Sequence, residues 1–341
     1  MTVTRIPVID IAPFLAGEPE GRRLVAAQIN QACEEIGFFC VTGHGVDQTQ
    51  IDRTYAAAED FFSRPLDRKL GIRQPAPHIS RGYTPVAGES LSATLGQKAP
   101  GDLKEIVDMG PVDVPDGAYF TRPEAGQHFH PNLWPDEPAA FRTEMESYYR
   151  RMNRLANDLM AIFAVALNLP EDFFFDKLDK NISALRLICY PEQKIAPEPG
   201  QLRSGAHTDY GTLTILTSNK AAGGLQARHR DGYWVDVMPE PGSFVINIGD
   251  ALEVWTNDRW VSTLHRVVNP PAALASTARR QSLVFFHQPN YDAVIATLPS
   301  CFGPGRPRKY EPMTFGEHWT RKWLVSKNPT PAAQTSADVA A

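Results

Sequence analysis

The sequence predicts a jelly roll (double-stranded β-helix) that is supported by helices and preceded by an N-terminal α/β portion. Three observations support this mixed α/β fold with a mainly β core. The 341 residues are enough for one large domain or two smaller ones. In the first half, apolar residues recur every three to four positions, which is typical of helices. After about residue 181, short apolar runs alternate with turn residues, which is typical of a double-sheet β fold.

The N-terminal half is predicted to begin with a strand, IPVIDI, followed by a helix over residues 21–36. Phe38–Val41 is a short apolar run that indicates a buried strand, and Ile51–Leu70 carries a second helical pattern. The stretch 71–139 is rich in proline and glycine, so we expect binding and covering loops there.

The rest of the chain contains one long helix and then a series of strands. Phe141–Leu169 is the clearest helix, and its apolar stripe is expected to pack in the core. Eight β-rich runs follow: ISALRLICY, GTLTILTS, GLQARH, YWVDVMP, SFVINIGD, LEVWTN, HRVVN and SLVFFHQ. The polar, small-residue C-terminus predicts a flexible tail. We therefore expect an N-terminal portion with covering loops, supporting helices, a jelly-roll core and a tail, over residues 1–140, 141–180, 181–325 and 326–341.

The composition is that of a globular protein and excludes a disordered or fibrous chain. Hydrophobic residues make up 43% and charged residues 21% of the sequence, and the net charge is −5. This small acidic excess offers no attraction to nucleic acid or to an anionic membrane surface. We expect no leader peptide, and no apolar stretch reaches about 18 residues. We expect a cytoplasmic monomer without nucleic-acid or membrane partners, and four separated cysteines that are buried free thiols.

A histidine and an aspartate lie two residues apart in the segment His207-Thr208-Asp209. In a strand, side chains at this spacing point to the same face. One histidine and one carboxylate need a third ligand to form the facial triad of non-haem iron(II) oxygenases. His265, in STLHRVVN, is expected on a distant strand of the same barrel. These three residues are candidate iron ligands that leave coordination positions open for a co-substrate and O₂.

A second pair, Arg280 and Ser282, precedes the apolar run LVFF and shares one face of a predicted strand. A guanidinium inside a barrel is costly to bury unless an anion neutralises it. The planar fork of arginine suits a carboxylate, which it can bind through two hydrogen bonds. Tyr190, at the end of ALRLICY, is placed to supply another hydroxyl to the same anion. The pattern therefore predicts an anion site inside the barrel.

Together these elements resemble the iron- and 2-oxoglutarate-dependent dioxygenases of the isopenicillin N synthase type. In the C-terminal half the similar stretches are GAHTDYGTLTIL, GGLQARHRDGYWVDVMPEPGSFVINIGDALEVWTN, STLHRVVNP and RRQSLVFFHQPN. In the N-terminal half they are IPVIDIAPFL, GFFCVTGHGV, SRGYTPVAGE and DLKEIVDMG. The resemblance covers about residues 5–325, and the order and spacing of the HxD, HRV and RxS elements are highly specific.

The resemblance implies a role for each candidate residue. The HxD and HRV elements would bind Fe(II) through His207, Asp209 and His265. The RxS element and the preceding strand would bind 2-oxoglutarate through Arg280, Ser282 and Tyr190. The implied reaction oxidises a small-molecule metabolite by hydroxylation or desaturation, consumes O₂ and releases succinate and CO₂. Family members of this kind serve secondary metabolism, including antibiotic biosynthesis.

Two other activities remain open at this point, and a third, non-enzymatic interpretation is disfavoured. An iron oxidase of the isopenicillin N synthase type takes all electrons from its substrate without 2-oxoglutarate, and the RxS element alone does not exclude it. The segment GAHTDYG looks more like bacterial members and the ethylene-forming enzyme than like the plant enzymes, which leaves an ethylene-forming activity open. A barrel that binds a small acid without metal is disfavoured, because all three metal positions carry suitable ligands.

Three residues are candidates for the walls of a substrate pocket. Strand alternation puts Ile188 on the face of Tyr190, and Phe286 on the face of the RxS pair. His287 follows on the same strand as a further candidate. Ordinary core packing explains Ile188 and Phe286 equally well, so the sequence leaves both interpretations open.

Overall fold

The computed structural model describes residues 5–219, 221 and 223–327 of the chain. Its strands are β1 (Val8–Asp10), β2 (Phe38–Thr42), β3 (Gly82–Thr84), β4 (Glu105–Met109), β5 (Ala184–Tyr190), β6 (Ser204–His207), β7 (Leu213–Ser218), β8 (Leu225–Arg228), β9 (Trp234–Asp236), β10 (Phe244–Ile248), β11 (His265–Val267), β12 (Arg280–His287), β13 (Val294–Ile295) and β14 (Met313–Thr314). Its α-helices are α1 (Ala12–Leu15), α2 (Pro19–Glu35), α3 (Gln48–Phe62), α4 (Leu66–Leu70), α5 (Ala118–Thr121), α6 (Pro123–Gly126), α7 (Ala139–Ala166), α8 (Phe175–Leu178), α9 (Asp250–Trp255) and α10 (Phe315–Lys327).

Two sheets form the jelly roll that the sequence predicts. The larger sheet has eight strands in the order β1-β2-β10-β7-β12-β5-β4-β3, and the smaller has four in the order β6-β11-β8-β9. Apolar residues of both sheets pack in one cluster, including Ile188 and Val245 from the larger sheet and Ala227 and Val267 from the smaller. The interior of the fold therefore lies between the sheets, where inward side chains alternate with outward ones.

The N-terminal portion contributes both edges of the larger sheet. Strands β1 and β2 pair in parallel, and β2 continues antiparallel into β10. At the other edge, β3 pairs with β4, and β4 pairs with β5. The large sheet therefore contains strands from both sides of the predicted boundary at residue 140.

Helices α2, α3 and α7 share a second apolar cluster with the outer face of the larger sheet. Tyr149 of α7 illustrates the contact, since its ring lies 5.2 Å from that of Phe285 on β12. Helix α7 carries buried residues at the spacing of an apolar stripe, among them Met145, Met152 and Leu159. The prediction of a core-packed helix from Phe141 is confirmed, although the helix ends at Ala166 and not at the predicted Leu169.

Two predicted elements differ from the structure for local reasons. The helix predicted over Ile51–Leu70 is two helices, α3 and α4, separated at Pro65, which has no N–H to continue the helical hydrogen bonds. The prediction of a strand for the run LEVWTN is wrong, because this run falls mostly in helix α9. Gly249 precedes α9, and Asp250 places an acidic group in its first turn, where the helix dipole favours negative charge.

The stretch 71–139 is not made of loops alone. It contains β4, whose residues Glu105–Met109 are all buried. Most of the predicted tail, residues 328–341, lies outside the described residues, while Ser326 and Lys327 end helix α10. All four cysteines are free and buried, as expected. None of the helices in the described ranges has the length and apolar character needed to cross a membrane.

Candidate active site

The side chains of His207, Asp209 and His265 converge inside the jelly roll. Their candidate ligand atoms all lie within 4.8 Å of one another. Asp209 Oδ1 is 3.8 Å from His207 Nε2 and 3.7 Å from His265 Nε2. All three residues are buried and line one cavity. Two imidazole nitrogens and one carboxylate oxygen are the donor set of the facial triad that holds non-haem iron(II).

A bulge in the smaller sheet positions the two histidines. His207, the last residue of β6, pairs with His265, the first residue of β11. The next pair joins Val267 to Ser204, so β6 contains one residue more than β11 between the two pairs. Residues three apart in a regular strand face opposite sides. The bulge instead allows both Ser204 and His207 to line the cavity.

Asp209 reaches the site from a turn and not from a strand. It lies two residues beyond the end of β6, so strand alternation does not align it with His207, and that part of the sequence argument is wrong. Its main-chain oxygen accepts a hydrogen bond from Asp250 N at 2.8 Å. The first turn of α9 therefore helps to hold the turn that carries the carboxylate.

Main-chain carbonyls orient both imidazole rings. His207 Nδ1 is 2.7 Å from the oxygen of Gly205, and His265 Nδ1 is 2.9 Å from the oxygen of Thr263. Because a carbonyl only accepts, each Nδ1 carries the hydrogen and each Nε2 keeps a lone pair for a metal. Burial, followed by the neighbouring His265, lowers the pKa of His207, which favours the neutral ring that a metal binds.

The carboxylate of Asp209 divides its two oxygens between protein and metal site. Its Oδ2 accepts hydrogen bonds from Thr214 Oγ1 at 2.6 Å and from Asn247 Nδ2 at 2.7 Å. Burial raises the pKa of Asp209, but the two imidazoles and these two hydrogen bonds outweigh it, so that the pKa is lowered overall. The group is therefore ionised, with Oδ1 directed towards the histidines.

Arg280 is a buried cation without an acidic partner among the residues that the structure describes. It begins β12 and pairs with Tyr190, the last residue of β5. Its Nη2 donates to Ser218 Oγ at 2.8 Å, and its Nε has no partner within the described ranges. Burial lowers the pKa of Arg280 because nothing nearby compensates the charge fully. This site fits the carboxylate of a bound molecule.

The other predicted site residues divide between the two faces of the larger sheet. Tyr190, Ile188 and Phe286 line the cavity, and Ser282 lies on the same face of β12, paired with Ile188. His287 does not line it, because strand alternation turns its side chain to the opposite face. There its Nδ1 is 2.8 Å from Thr212 Oγ1. The expectation that His287 faces a substrate is therefore wrong.

Sequence reasoning missed a group of buried charges in the same cavity region, which we call the acid–base cluster. It consists of Glu89, Asp102, Lys104, Asp108 and Arg186, all of them buried. Arg186 binds Asp108 through two hydrogen bonds, with Nε to Oδ1 at 2.7 Å and Nη2 to Oδ2 at 2.9 Å. A readable signal exists for one member, since a single arginine interrupts the apolar run ALRLICY on the face of Ile188 and Tyr190.

Helix α10 closes part of the cavity and contacts the turn that carries Asp209. Trp319 and Trp323 both line the cavity, and their rings stack at 5.1 Å and 12°. On the same helix, Lys322 Nζ donates to Thr208 Oγ1 at 3.0 Å and forms an ion pair with Asp250. One short helix therefore touches both the cavity and the metal-binding turn.

The fold and this site define a non-haem iron(II) oxygenase, and two family models agree. The model described as non-haem dioxygenase in morphine synthesis N-terminal matches residues 6–137, and that of the 2OG-Fe(II) oxygenase superfamily matches residues 181–289. The chain belongs to the 2OG-Fe(II) oxygenase superfamily. It is a dioxygenase that uses Fe(II), 2-oxoglutarate and O₂ and acts on small molecules.

This chain is similar to known proteins over most of its own length and of theirs. A homoarginine-6-hydroxylase of rice (Oryza sativa subsp. japonica) is 34% identical over 333 residues, which is 94% of this chain and 97% of the relative. A 2-oxoglutarate-Fe(II) type oxidoreductase of Emericella nidulans is 32% identical over 318 residues, or 92% of this chain and 88% of the relative. The crystal structure of a full-length Neurospora crassa protein in complex with alpha-KG has a TM-score of 0.82 at 29% identity, covering 95% of this chain and 97% of that one.

Proposed function

We propose that His207, Asp209 and His265 hold the iron and that Arg280 and Ser282 bind the distal carboxylate of 2-oxoglutarate. The observation that carries this assignment is the buried guanidinium of Arg280, which pairs with no carboxylate in the described part of the chain. It lies opposite Tyr190, which lines the cavity that contains the three ligand atoms.

When bound, Fe(II) with 2-oxoglutarate and O₂ supplies the oxidising power that removes hydrogen from the substrate, and succinate and CO₂ are released. The chain itself binds and orients the reacting groups, and it excludes water from them. Thr214 and Asn247 direct the free oxygen of Asp209 towards the metal position. Leu216 and Val284 contribute apolar walls to the cavity that contains the three ligand atoms. Apolar walls exclude water and so prevent side reactions with solvent.

We propose hydroxylation of a small, nitrogen-containing metabolite as the reaction. Relatives named for their activity include homoarginine-6-hydroxylases of rice and Arabidopsis thaliana and a proline hydroxylase of Petromyces alliaceus. The Neurospora crassa structure also exists with thymine bound. These molecules are all small, and each contains nitrogen.

We also propose that the protein works as a cytoplasmic monomer, in secondary metabolism, without nucleic-acid or membrane partners. The net charge of −5 supports the absence of polyanionic partners, because like charges repel. Four free buried cysteines support a reducing compartment. Sedimentation of the purified protein would contradict the monomer if it gave twice the chain mass.

The test is a stoichiometric assay with Fe(II), 2-oxoglutarate and a panel of amino acids and cyclic amides. We expect one class of compound to stimulate succinate formation, with one hydroxylated product per succinate. Product formed without 2-oxoglutarate would instead support the oxidase alternative, and ethylene release would support the ethylene-forming alternative. The Asp209→Ala protein is the control, because it lacks one of the three ligands.

A further inference from the structure

The acid–base cluster lies at the wall of the active-site cavity, and the proposed mechanism assigns it no task. Glu89, Lys104, Asp108 and Arg186 all line this cavity together with the iron ligands. Burying five charged side chains costs free energy that an apolar wall would not, so the cluster adds no stability that would explain its presence. Its position next to the metal site points to substrate binding.

Arg186 is the member of the acid–base cluster that has N–H groups without an acceptor among the described residues. Lys104 has three N–H groups, and its Nζ contacts three oxygens, those of Glu89 at 3.1 Å, Asp102 at 3.0 Å and Ser204 at 3.1 Å. Arg186 has five N–H groups but only three hydrogen bonds in the described residues, two to Asp108 and one to Glu89 at 3.1 Å. Two N–H donors of Arg186 are therefore left for a ligand.

The charges of the cluster restrict what can bind there. Lys104 and Arg186 carry two positive charges, whereas the three carboxylates carry three negative ones, so the formal sum is −1. Burial lowers the pKa of Arg186, but Asp108 and Glu89 outweigh it and raise the pKa, so the guanidinium stays charged. A ligand carboxylate alone would increase the negative sum to −2 inside a buried site, which is unfavourable. A ligand with an N–H group beside its acceptor oxygen avoids this penalty.

Aromatic rings flank the guanidinium. Its Cζ lies 5.6 Å from the ring centroid of Phe286 and 5.9 Å from that of Trp323, and both rings line the cavity. A group that accepts hydrogen bonds from Arg186 within the cavity therefore lies beside two flat apolar surfaces. Such a site suits a compact planar polar group better than a branched one.

We propose that Arg186, with the carboxylates of Glu89 and Asp108, binds the substrate through an acceptor oxygen that stands next to a nitrogen-bound hydrogen. Two kinds of molecule share this chemistry, the α-amino acids and the cyclic amides. Arg186 donates to the oxygen, and the acidic groups of the cluster attract the N–H or ammonium group. The inference rests on the proposed function, since it places the substrate in the same cavity as the iron.

Calorimetric titration of the protein loaded with Mn(II) and 2-oxoglutarate tests this inference without turnover. The probes are L-homoarginine for the amino acids, thymine for the cyclic amides, and hexanoate as a carboxylate without N–H. We expect at least one N–H probe to bind and hexanoate to bind at least tenfold more weakly. Equal binding of hexanoate, or binding of neither N–H probe, would overturn the proposed chemistry.

Variants of Arg186 test the residue itself. Arg186→Met should weaken the binding of the preferred probe by about tenfold to hundredfold, the value of one or two hydrogen bonds to a charged donor. Arg186→Lys should recover only part of this loss, because an ammonium group lacks the planar fork. Arg259→Met is the matched control, since Arg259 pairs with Glu34 away from the cavity. An unchanged affinity in Arg186→Met would refute the assignment.

A folding defect must be separated from a binding defect. Arg186→Met leaves Asp108 unpaired, so the double variant Arg186→Met/Asp108→Asn restores a formal sum of −1 in the cluster. We expect the double variant to fold, to bind 2-oxoglutarate as the wild type does, and still to fail with the preferred probe. Normal probe binding by this variant would overturn the inference. If the wild-type protein did not bind 2-oxoglutarate, this result would instead contradict the proposed function.

Discussion

Replacing Arg280 with methionine should weaken 2-oxoglutarate binding strongly without destabilising the ligand-free protein. In the ligand-free state, the guanidinium is buried with one hydrogen bond to Ser218 and no carboxylate partner in the described residues. Methionine fills a similar volume without an uncompensated charge. Replacements of this kind are often neutral or stabilising, so we expect the free energy of unfolding to fall by less than about 1 kcal/mol, or to rise.

The bound state should respond in the opposite direction. Without Arg280, the distal carboxylate of 2-oxoglutarate would be buried with no counter-charge, a loss of about 3–5 kcal/mol. This corresponds to an increase of about 10²- to 10⁴-fold in the Kd or KM for 2-oxoglutarate. Arg280→Lys should recover only part of the affinity, because a point charge cannot replace the planar fork.

Urea denaturation with and without 2-oxoglutarate measures both effects in one series, and succinate formation gives the KM. Arg186→Met provides the contrast, because Arg186 is also a buried arginine of the larger sheet but has ion pairs with Asp108 and Glu89. It should lose about 3–5 kcal/mol of stability in the absence of any ligand. The reasoning is refuted if Arg280→Met is equally unstable, or if its affinity for 2-oxoglutarate changes by less than tenfold.

Four further predictions concern the metal ligands, the cavity wall, helix α10 and a buried acid. Loss of one metal ligand should leave a folded protein without bound iron and without turnover, in each of the variants His207→Ala, Asp209→Ala and His265→Ala. Asp209→Glu should have the same effect, because its carboxylate is displaced by one methylene. Full activity in any of these variants would contradict the triad. Phe286→Ala should consume 2-oxoglutarate without matching product, whereas a product-to-succinate ratio near one in a variant destabilised by about 3–5 kcal/mol would indicate core packing. Lys322→Met should lower kcat and iron affinity because Lys322 contacts Thr208 and Asp250, while Arg321→Met, an exposed change on the same helix, should not; equal effects would exclude a positioning role. Burial raises the pKa of Glu253 to about 7, so the native state keeps a proton that the unfolded chain releases at lower pH, and the free energy of unfolding falls as the pH rises towards 7. Glu253→Gln should therefore raise Tm more at pH 8 than at pH 4. A difference in Tm that does not depend on pH would contradict this.

The sequence predicted the parts of the site that depend on short motifs. The residue types and order of His207, Asp209 and His265 indicate an iron site, and Arg280 on an apolar strand indicates an anion site. These inferences depend on chemistry that few side chains provide. The sequence could not reveal that a turn presents Asp209, because nothing in the HxD motif marks His207 as the last residue of β6.

The acid–base cluster could not be predicted because no short motif contains it. Its members come from residues 89, 102–108 and 186, and only the pairing of β4 with β5 brings Asp108 opposite Arg186. The strand β4 itself lies in a stretch whose prolines and glycines indicate loops. Register between distant strands is decided by the whole sheet, so local patterns leave it open.

The extra residue in β6 limits how far this metal centre can be transferred to another scaffold. A regular antiparallel pair would supply either His207 or Ser204 to the interior, but not both. Gly205 lies within the same irregularity, between Ser204 and His207, and a Cβ at this position would come within 2.2 Å of Ser92 Oγ. A designer who grafts only the two histidines and the aspartate onto ideal strands would thus separate the metal from the polar wall beside it. The transferable unit is the ligand set together with its bulge.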